Sequence, residues 1–403
     1  MTFAPDVVVG AIGETEKSRG RADRGESTNS VEEYFREAAS LTLEGTDFGK
    51  ADVDGLGIVI PNQRETARYA DNLAELLGFE DIDWLTVAEH GGASPTELLL
   101  QGALAVQGGV TETMLCLGAD TPKPPGGSGT LPIPAPEHGF ETNYMAPFGY
   151  QGPNSRVALV QNRYEHEHGI EPEQLGEIAV TSREHAIRNP LAYQDEPLTM
   201  ADYLGSPVLS DPIRLLDAVI PVNAGYGVLL TRAEHADRFE GPPVQIETYG
   251  KRMVNADTRQ RSDVTTTGIA RATEEAFEKS RLTVEGMDFY QLYDNYPISV
   301  VLQLEDIGLC AKGEGGAFVE RTDLSWDGDV PLNTGGGQHS SGQTGRSGGF
   351  TGINESVRQL TGRAGDRQVP GASVGLLTGL GGLSYDRNYQ HTTTIVLRRG
   401  VDG

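Results

Sequence analysis

Residues 6–120 and 242–399 of this 403-residue chain run through one order of elements twice. In the first stretch DVVVGAIG reads as a buried strand ending in a glycine turn. SVEEYFREAASLTLEG follows as a helix with Ser30 at its N-cap, then VDGLGIVIP as a strand and TARYADNLAELLGF as a helix closed by Gly78. WLTVAEH is a strand, PTELLLQGALAVQGG a helix with Pro95 in its first turn, and ETMLCLGAD a strand. The second stretch answers with PPVQIETYGKR, TGIARATEEAFEKS, MDFYQLYD and ISVVLQLEDIG as strand, helix, strand and helix. VPLNTGGGQHSSG then reads as a strand entering a glycine-rich turn, GINESVRQLTG as a helix, and ASVGLLTGLGG and HTTTIVLRR as a strand pair. Such alternation predicts an α/β protein whose parallel or mixed sheet carries helices on both faces. Two similar halves place their turns at one shared cleft.

Between the halves lies an excursion. Residues 121–153 are too rich in Pro and Gly for regular structure, and long loops of this kind are lids or binding loops. A helical stretch from Asn154 to about His185 and a loop over RNPLAYQDEPLTMADYLGSP extend it, and AVIPVNAGYGVLLT returns to the core as a strand pair. The expected division is residues 1–120 for the first half, 121–210 for a loop region over the cleft, 211–240 for closing strands, and 241–403 for the second half.

Charge narrows the partners. With 32 basic and 58 acidic residues the net charge is −26, which disfavours nucleic acid, since phosphate binding needs clustered Lys and Arg. The acidic residues are spread along the chain, as on a solvated surface, and such an excess suits a protein kept soluble in concentrated salt. No apolar run is long enough to span a bilayer, and the start of the chain lacks a signal peptide's apolar stretch, so a cytoplasmic location is expected. Cys116 and Cys310 have no metal-ligand spacing and read as small buried hydrophobes. His166 and His168 are two apart, which does not put both on one helix face, and no metal site is expected.

The segment EHGGASPTELLLQGALAVQGG has the strand–turn–helix shape that presents a reactive group above a helix N-terminus, yet the turn holds no cysteine. Its place in the chain resembles the nucleophile turn of the thiolase superfamily. LYDNYPISVVLQLEDIGLC, GEGGAFVE, PLNTGGGQHSSG, RQLTGRAGDRQVPGASVGLLTGLGG and REHAIRNPLAYQDEPLTMADYLGSPVLSDPIRLLD are similar to the sterol-carrier-protein-thiolase-like branch. The resemblance covers nearly the whole chain, in the right order. It implies a five-layered αβαβα fold from two similar halves with an inserted loop domain, a dimer, and carbon–carbon bond chemistry on coenzyme A thioesters. No cofactor besides those thioesters is implied. Several members of the branch act with a small partner subunit bearing an OB-fold and often a zinc ribbon.

The departures from that pattern concern the chemistry. The family's nucleophilic cysteine falls on Gly92, its Gly-His-Pro histidine on Gln343, its second cysteine on Thr378, and its active-site Asn or His on Tyr293. Ser94 lies two residues beyond Gly92 at the helix start, where backbone N–H groups favour negative charge, though a serine before Pro95 also makes an N-cap. A hydroxyl needs an adjacent base, and His339, His391 and His90 sit near the family's catalytic loops. A Ser/His/His set of this kind describes a haloarchaeal type of β-ketothiolase, so Ser94, His339 and His391 form the expected acyl-transfer set, with His90 competing. Gly92, Gly337, Gly379 and Tyr293 are the expected oxyanion and backbone positions. Two alternatives stand beside this ketothiolase reading. One is a thiolase-like retro-aldolase acting on a β-hydroxyacyl-CoA without an acyl-enzyme. There Gly92 fits, but the tyrosine positions of that group read as Ile298 and Gln343, with Tyr293 and Tyr296 close by. The other is a non-catalytic acyl-CoA-binding subunit.

Overall fold

The computed structural model describes residues 6–62, 64, 66–123, 141–150, 152–253, 263–381 and 389–400. Most of the loop expected over residues 121–153, namely residues 124–140 and 151, lies outside them.

Strands β1 (Val7–Glu14), β2 (Gly55–Val59), β3 (Trp84–Ala88) and β4 (Thr113–Asp120) alternate with helices α1 (Val31–Leu43), α2 (Thr66–Leu77) and α3 (Ser94–Gln107). Helices α4 (Gly152–His168), α5 (Pro172–Ile187) and α6 (Met200–Leu204) follow, then a hairpin of β5 (Val208–Ser210) and β6 (Ile213–Arg214). Strand β7 (Ala224–Arg232) returns to the sheet. The second half comprises β8 (Val244–Met253), α7 (Ile269–Glu278), β9 (Phe289–Gln291), α8 (Pro297–Asp306), α9 (Gly315–Arg321), α10 (Gly337–Ser341), α11 (Phe350–Thr361), β10 (Val374–Gly381) and β11 (His391–Arg399).

The strands order as β3-β2-β4-β7-β1-β8-β11-β10-β9, so the two halves meet where β1 pairs antiparallel with β8 at Val8↔Gln245 and Val9↔Val244. Strand β2 runs parallel to β3 and β4, and their carboxyl ends share one edge with the turn after β3. Helices α3 and α11 each touch strands of both halves, whereas α1 lies on β1 and β7, and α7 on β8 and β11. The layers are therefore helix, strand, helix, strand, helix, the expected α/β thiolase arrangement. As part of the central layer, α3 buries most of its surface, Leu98, Leu99, Leu100, Ala103 and Val106 among it, and leaves only the stripe of Gln101, Leu104 and Gln107 toward solvent. Each leucine withdrawn from water contributes roughly 1.5–3 kcal/mol.

Ser30 caps α1 as expected, its hydroxyl accepting from the Glu33 N–H while the Glu33 carboxylate accepts from the Ser30 N–H. Three expectations give way to local chemistry. The helical stretch after Asn154 is two helices, broken where Gly169 takes a φ of 76° and Pro172 restarts the chain. The segment before the glycine-rich turn is not a strand. Pro331 has no N–H to give a ladder, Asn333 takes a φ of 48°, and the Asn333 side chain itself accepts the Leu292 N–H. Of the expected pair over residues 218–231 only β7 is a strand. The preceding residues clasp Gln343 instead, the Gln343 N–H donating to the Ile220 carbonyl and the Val222 N–H to that of Gln343.

Candidate active site

The turn after β3 is a single 3-10 turn, Gly91–Ala93, running directly into α3. Gly91 takes a φ of 58°, which favours glycine there. Ser94 is the first residue of α3, not its cap; Ala93 holds the cap position. The Ser94 hydroxyl is fully buried, accepts from the His90 N–H at 2.8 Å and donates to the Gly91 carbonyl at 2.7 Å. Both hydrogen bonds close the turn on itself and neither reaches an imidazole. The oxygen expected to attack therefore serves as a staple of the loop.

The histidines divide between two places. His90 and His391 stand with ring centres 4.2 Å apart, half-buried, at the rim where β11 begins. Burial and then the neighbouring His90 push the His391 imidazole down to about 4. Burial also lowers His90, opposed by the Glu97 carboxylate. His339 lies in α10, fully enclosed, with Nε2 2.9 Å from the Leu216 carbonyl, and burial pushes it down to about 4 as well. It is a neutral ring that fixes α10 against residue 216. The structure thus does not gather Ser94, His339 and His391 into one hydrogen-bonded set.

What it gathers lies on the other side of the turn. A Cβ added at Gly92 would sit 2.0 Å from the Tyr293 hydroxyl oxygen, 2.2 Å from its Cζ and 2.4 Å from Cε2. The phenol thus fills the volume that any side chain at position 92 would need, and only glycine fits. Gln343 donates through Nε2 to that hydroxyl at 3.3 Å, and the Gln338 carboxamide also turns toward it. Thr378 accepts the Tyr293 N–H at 3.0 Å and donates to Gln303 Oε1 at 2.6 Å, while Gln303 Nε2 donates to the Tyr293 carbonyl at 2.7 Å. Positions 92, 343 and 378, far apart in sequence, converge on one tyrosine. Among the described residues, no carboxylate or imidazole is hydrogen-bonded to its hydroxyl. Burial holds the phenol far above the usual tyrosine range.

Two further tyrosines adjoin it. Tyr389 donates to Asn295 Oδ1 at 3.0 Å and meets the Ser299 hydroxyl, and Tyr296 donates to Asn154 of α4. The loop region thereby touches the tyrosine cluster through Asn154. Next to Tyr293, the buried Asp294 carboxylate accepts the Gln338 N–H at 2.7 Å and the His339 N–H at 3.3 Å. Gly337 is glycine because a Cβ there would lie 1.7 Å from Asp294 Oδ2, and Gly379 because one would lie 2.1 Å from the Thr96 hydroxyl. Both close approaches are to side chains of the protein itself. Asp294 and Gln303 lie in LYDNYPISVVLQLEDIGLC and Gln338 in PLNTGGGQHSSG, but nothing within those segments singled them out, and Tyr389 lies outside every such segment. Among the described residues no group of three His, Cys, Asp or Glu side chains is placed to hold a metal ion, and no helix is long and apolar enough to cross a membrane.

Comparison with known proteins supplies context for this geometry. Residues 250–399 match the family described as Thiolase C-terminal domain-like. The chain is 28% identical to an acetyl-CoA acetyltransferase of Methanothermobacter thermautotrophicus over 88% of its length and 92% of that protein. It is equally 28% identical to a steroid side-chain-cleaving aldolase of Thermomonospora curvata, over 88% of this chain and 90% of that one. Among solved structures, a Ltp2-ChsH2(DUF35) aldolase superposes with a TM-score of 0.84 at 25% identity, covering the whole of both chains.

Proposed function

Because the chain belongs to the thiolase superfamily, in its sterol-carrier-protein-thiolase-like branch, we propose that it cleaves or forms a carbon–carbon bond beside the carbonyl of a coenzyme A thioester, and does so without an acyl-enzyme. The substrate is then a β-hydroxyacyl-CoA and the reaction a retro-aldol cleavage. One observation carries this reading: the Tyr293 hydroxyl occupies the space where a nucleophile at position 92 would stand.

The chemistry follows from what surrounds that oxygen. As phenolate, Tyr293 takes the proton of the β-hydroxyl. The bond between the α- and β-carbons breaks, the β-carbon becomes a carbonyl, and the electron pair stays on the thioester as an enolate. The phenol then returns the proton to the α-carbon, so the protein ends as it began. The carboxamides of Gln343 and Gln338 offer donors to the negative oxygen, and the N-terminus of α3, which starts at the turn, favours charge developing there. The bonds of Thr378 and Gln303 to the Tyr293 backbone hold the ring in register.

Similarity to the aldolases supports this reading, and similarity to the acetyltransferase supports the acyl-transfer alternative equally by identity. Geometry favours the first, because Ser94 has no free hydroxyl and no base. The name of the structural relative joins two proteins, and a second subunit is proposed here as well. Purified protein, alone and with a co-expressed partner, incubated with a β-hydroxyacyl-CoA should release a carbonyl compound and a shorter acyl-CoA. Intact-mass analysis should show no adduct. Tyr293→Phe should lower kcat by about 10²–10⁴-fold. An ester on Ser94 would reinstate acyl transfer, and a Tyr293→Phe variant equal to wild type would leave only a binding subunit.

A further inference from the structure

The proposed function leaves one question of charge: burial keeps the Tyr293 phenol protonated at neutral pH, and the groups on its oxygen are amides. A proton acceptor is needed nearby. The side chains behind Tyr293 enclose a cavity with room for about one water molecule, lined by Tyr293, Asp294, Gln338, Asn333, Thr351 and Thr378. Its lining mixes these polar groups with Leu292, Leu377 and three glycines, so a water there has polar partners on part of its surface. Gln338 Oε1, fully buried, makes no hydrogen bond to the protein, which is the mark of an internal water partner. Gln338 is also the residue that joins the two neighbours, since its backbone N–H donates to Asp294 while its carboxamide turns to the phenol.

Resting on the retro-aldol reading, we propose that Asp294 is the proton store of this site, a positioning residue that exchanges a proton with Tyr293 through a water held in that cavity by Gln338 Oε1. The exchange balances. The phenol O–H breaks and its proton passes to the water, which gives one of its own to the Asp294 carboxylate. The phenolate then takes the substrate's hydroxyl proton, returns it to the enolate carbon, and recovers its first proton from Asp294 by the same route. Burial, opposed by the N–H groups of Gln338 and His339, pushes the Asp294 carboxyl up to about 7, which narrows the gap between it and the phenol and makes it a better proton acceptor than an ordinary aspartate. The titratable and charged groups around it are few. Tyr293 precedes it, and His339 of α10 is a buried neutral ring. Glu14, Glu355 and Arg358 line a second cavity, which shares Gln291, Gly337 and Thr351 with the first.

The test uses the full chain with ¹³C-labelled aspartate. A carboxyl signal absent from Asp294→Asn should titrate near neutrality in wild type, and its midpoint should move in Tyr293→Phe and in Gln338→Met. In kcat, activity should rise with pH through the same midpoint. Asp294→Asn should lose that limb and about 10²-fold in rate, with KM within about twofold. Gln338→Met keeps the backbone bond to Asp294, so it reports on the water even where Asp294→Asn fails to fold. An Asp294 signal indifferent to both Tyr293→Phe and Gln338→Met would overturn the inference. So would a pH limb that persists without the Gln338 oxygen. The titration needs no turnover, so a protein that cleaves no β-hydroxyacyl thioester would refute the proposed function while the spectra still judged the coupling.

Discussion

The two sides of the Gly91–Ala93 turn make an instructive pair. On the outer side His90 and His391 face each other, half in water, with the Glu97–Lys251 ion pair near them. By residue type this is where acid–base chemistry belongs. On the inner side a single phenol is packed among amides and hydroxyls, with no charged partner on its oxygen. Yet the inner side is where Gly92, Gln343 and Thr378, the positions that the resemblance equates with the family's catalytic residues, meet. Titratable side chains in a cluster are thus a poorer guide than the volume the fold has reserved: the turn is shaped around Tyr293, and the histidines stand at its edge.

The sharpest way to break that contrast is to fill the reserved volume. Gly92→Ala sets a methyl 2.0 Å from the Tyr293 oxygen, so either the ring or the turn must move. Overpacking of this kind costs about 1–3 kcal/mol, and displacement of the phenol should remove at least about 10²-fold of the cleavage activity. The cause is separable by a double-mutant cycle. Gly92→Ala with Tyr293→Ala should be less destabilised than the sum of the single variants, because the clash is gone, while activity stays lost. Strict additivity in thermal unfolding would show that the two residues do not share that space.

Next in size is Ser94, the residue on which the two readings differ most. Ser94→Ala leaves the His90 N–H without its acceptor and strips the Gly91 carbonyl of one of its two donors, the backbone N–H of residue 94 remaining on it. A buried group left unsatisfied costs about 1–3 kcal/mol, so denaturant unfolding should shift by that amount. Cleavage, measured well below the new midpoint, should stay within a few-fold of wild type. Complete loss of activity with unchanged stability would reverse the assignment and return Ser94 to the role of nucleophile.

The duplicated order of strands and helices was legible because it rests on local periodicity and on caps such as Ser30 and Gly78, which the chain carries in single segments. The segments that come together at the candidate site were legible too, since the glycine turn, the GGG segment and the β10 glycines are local signals. The attacking group was not. Whether Ser94 faces a pocket or its own loop depends on the short turn between His90 and Ser94, in which His90 N–H and Gly91 C=O offer nearer partners than any substrate. Tyr293 could be aligned from the sequence, but its overlap with position 92 is a contact between residues some two hundred apart. Asp294 and Gln338 are likewise ordinary residues until α10 brings its first turn onto the carboxylate.

The smallest effect belongs to the outer side of the turn. His391 has a folded-state value of about 4 against an ordinary 6.5, set by burial first and the adjacent His90 second. Its neutral form is thus favoured by folding, and the unfolded chain binds the extra proton between those two values. Stability should therefore rise as pH climbs from about 4 to about 6.5 and add nothing above it. His339 and His185, also held near 4 by burial, contribute in the same window and the same direction. Replacing His391 by Gln should flatten part of that slope in a pH series of unfolding midpoints, with water at the half-exposed ring keeping the change modest. Cleavage at neutral pH should remain within about twofold of wild type, because the His391 ring packs against His90 and not against the Tyr293 hydroxyl, which is bonded to Gln343. A loss of 10²-fold or more in His391→Gln, at full stability, would move the chemistry to the histidine side of the turn and reduce Tyr293 to a packing residue.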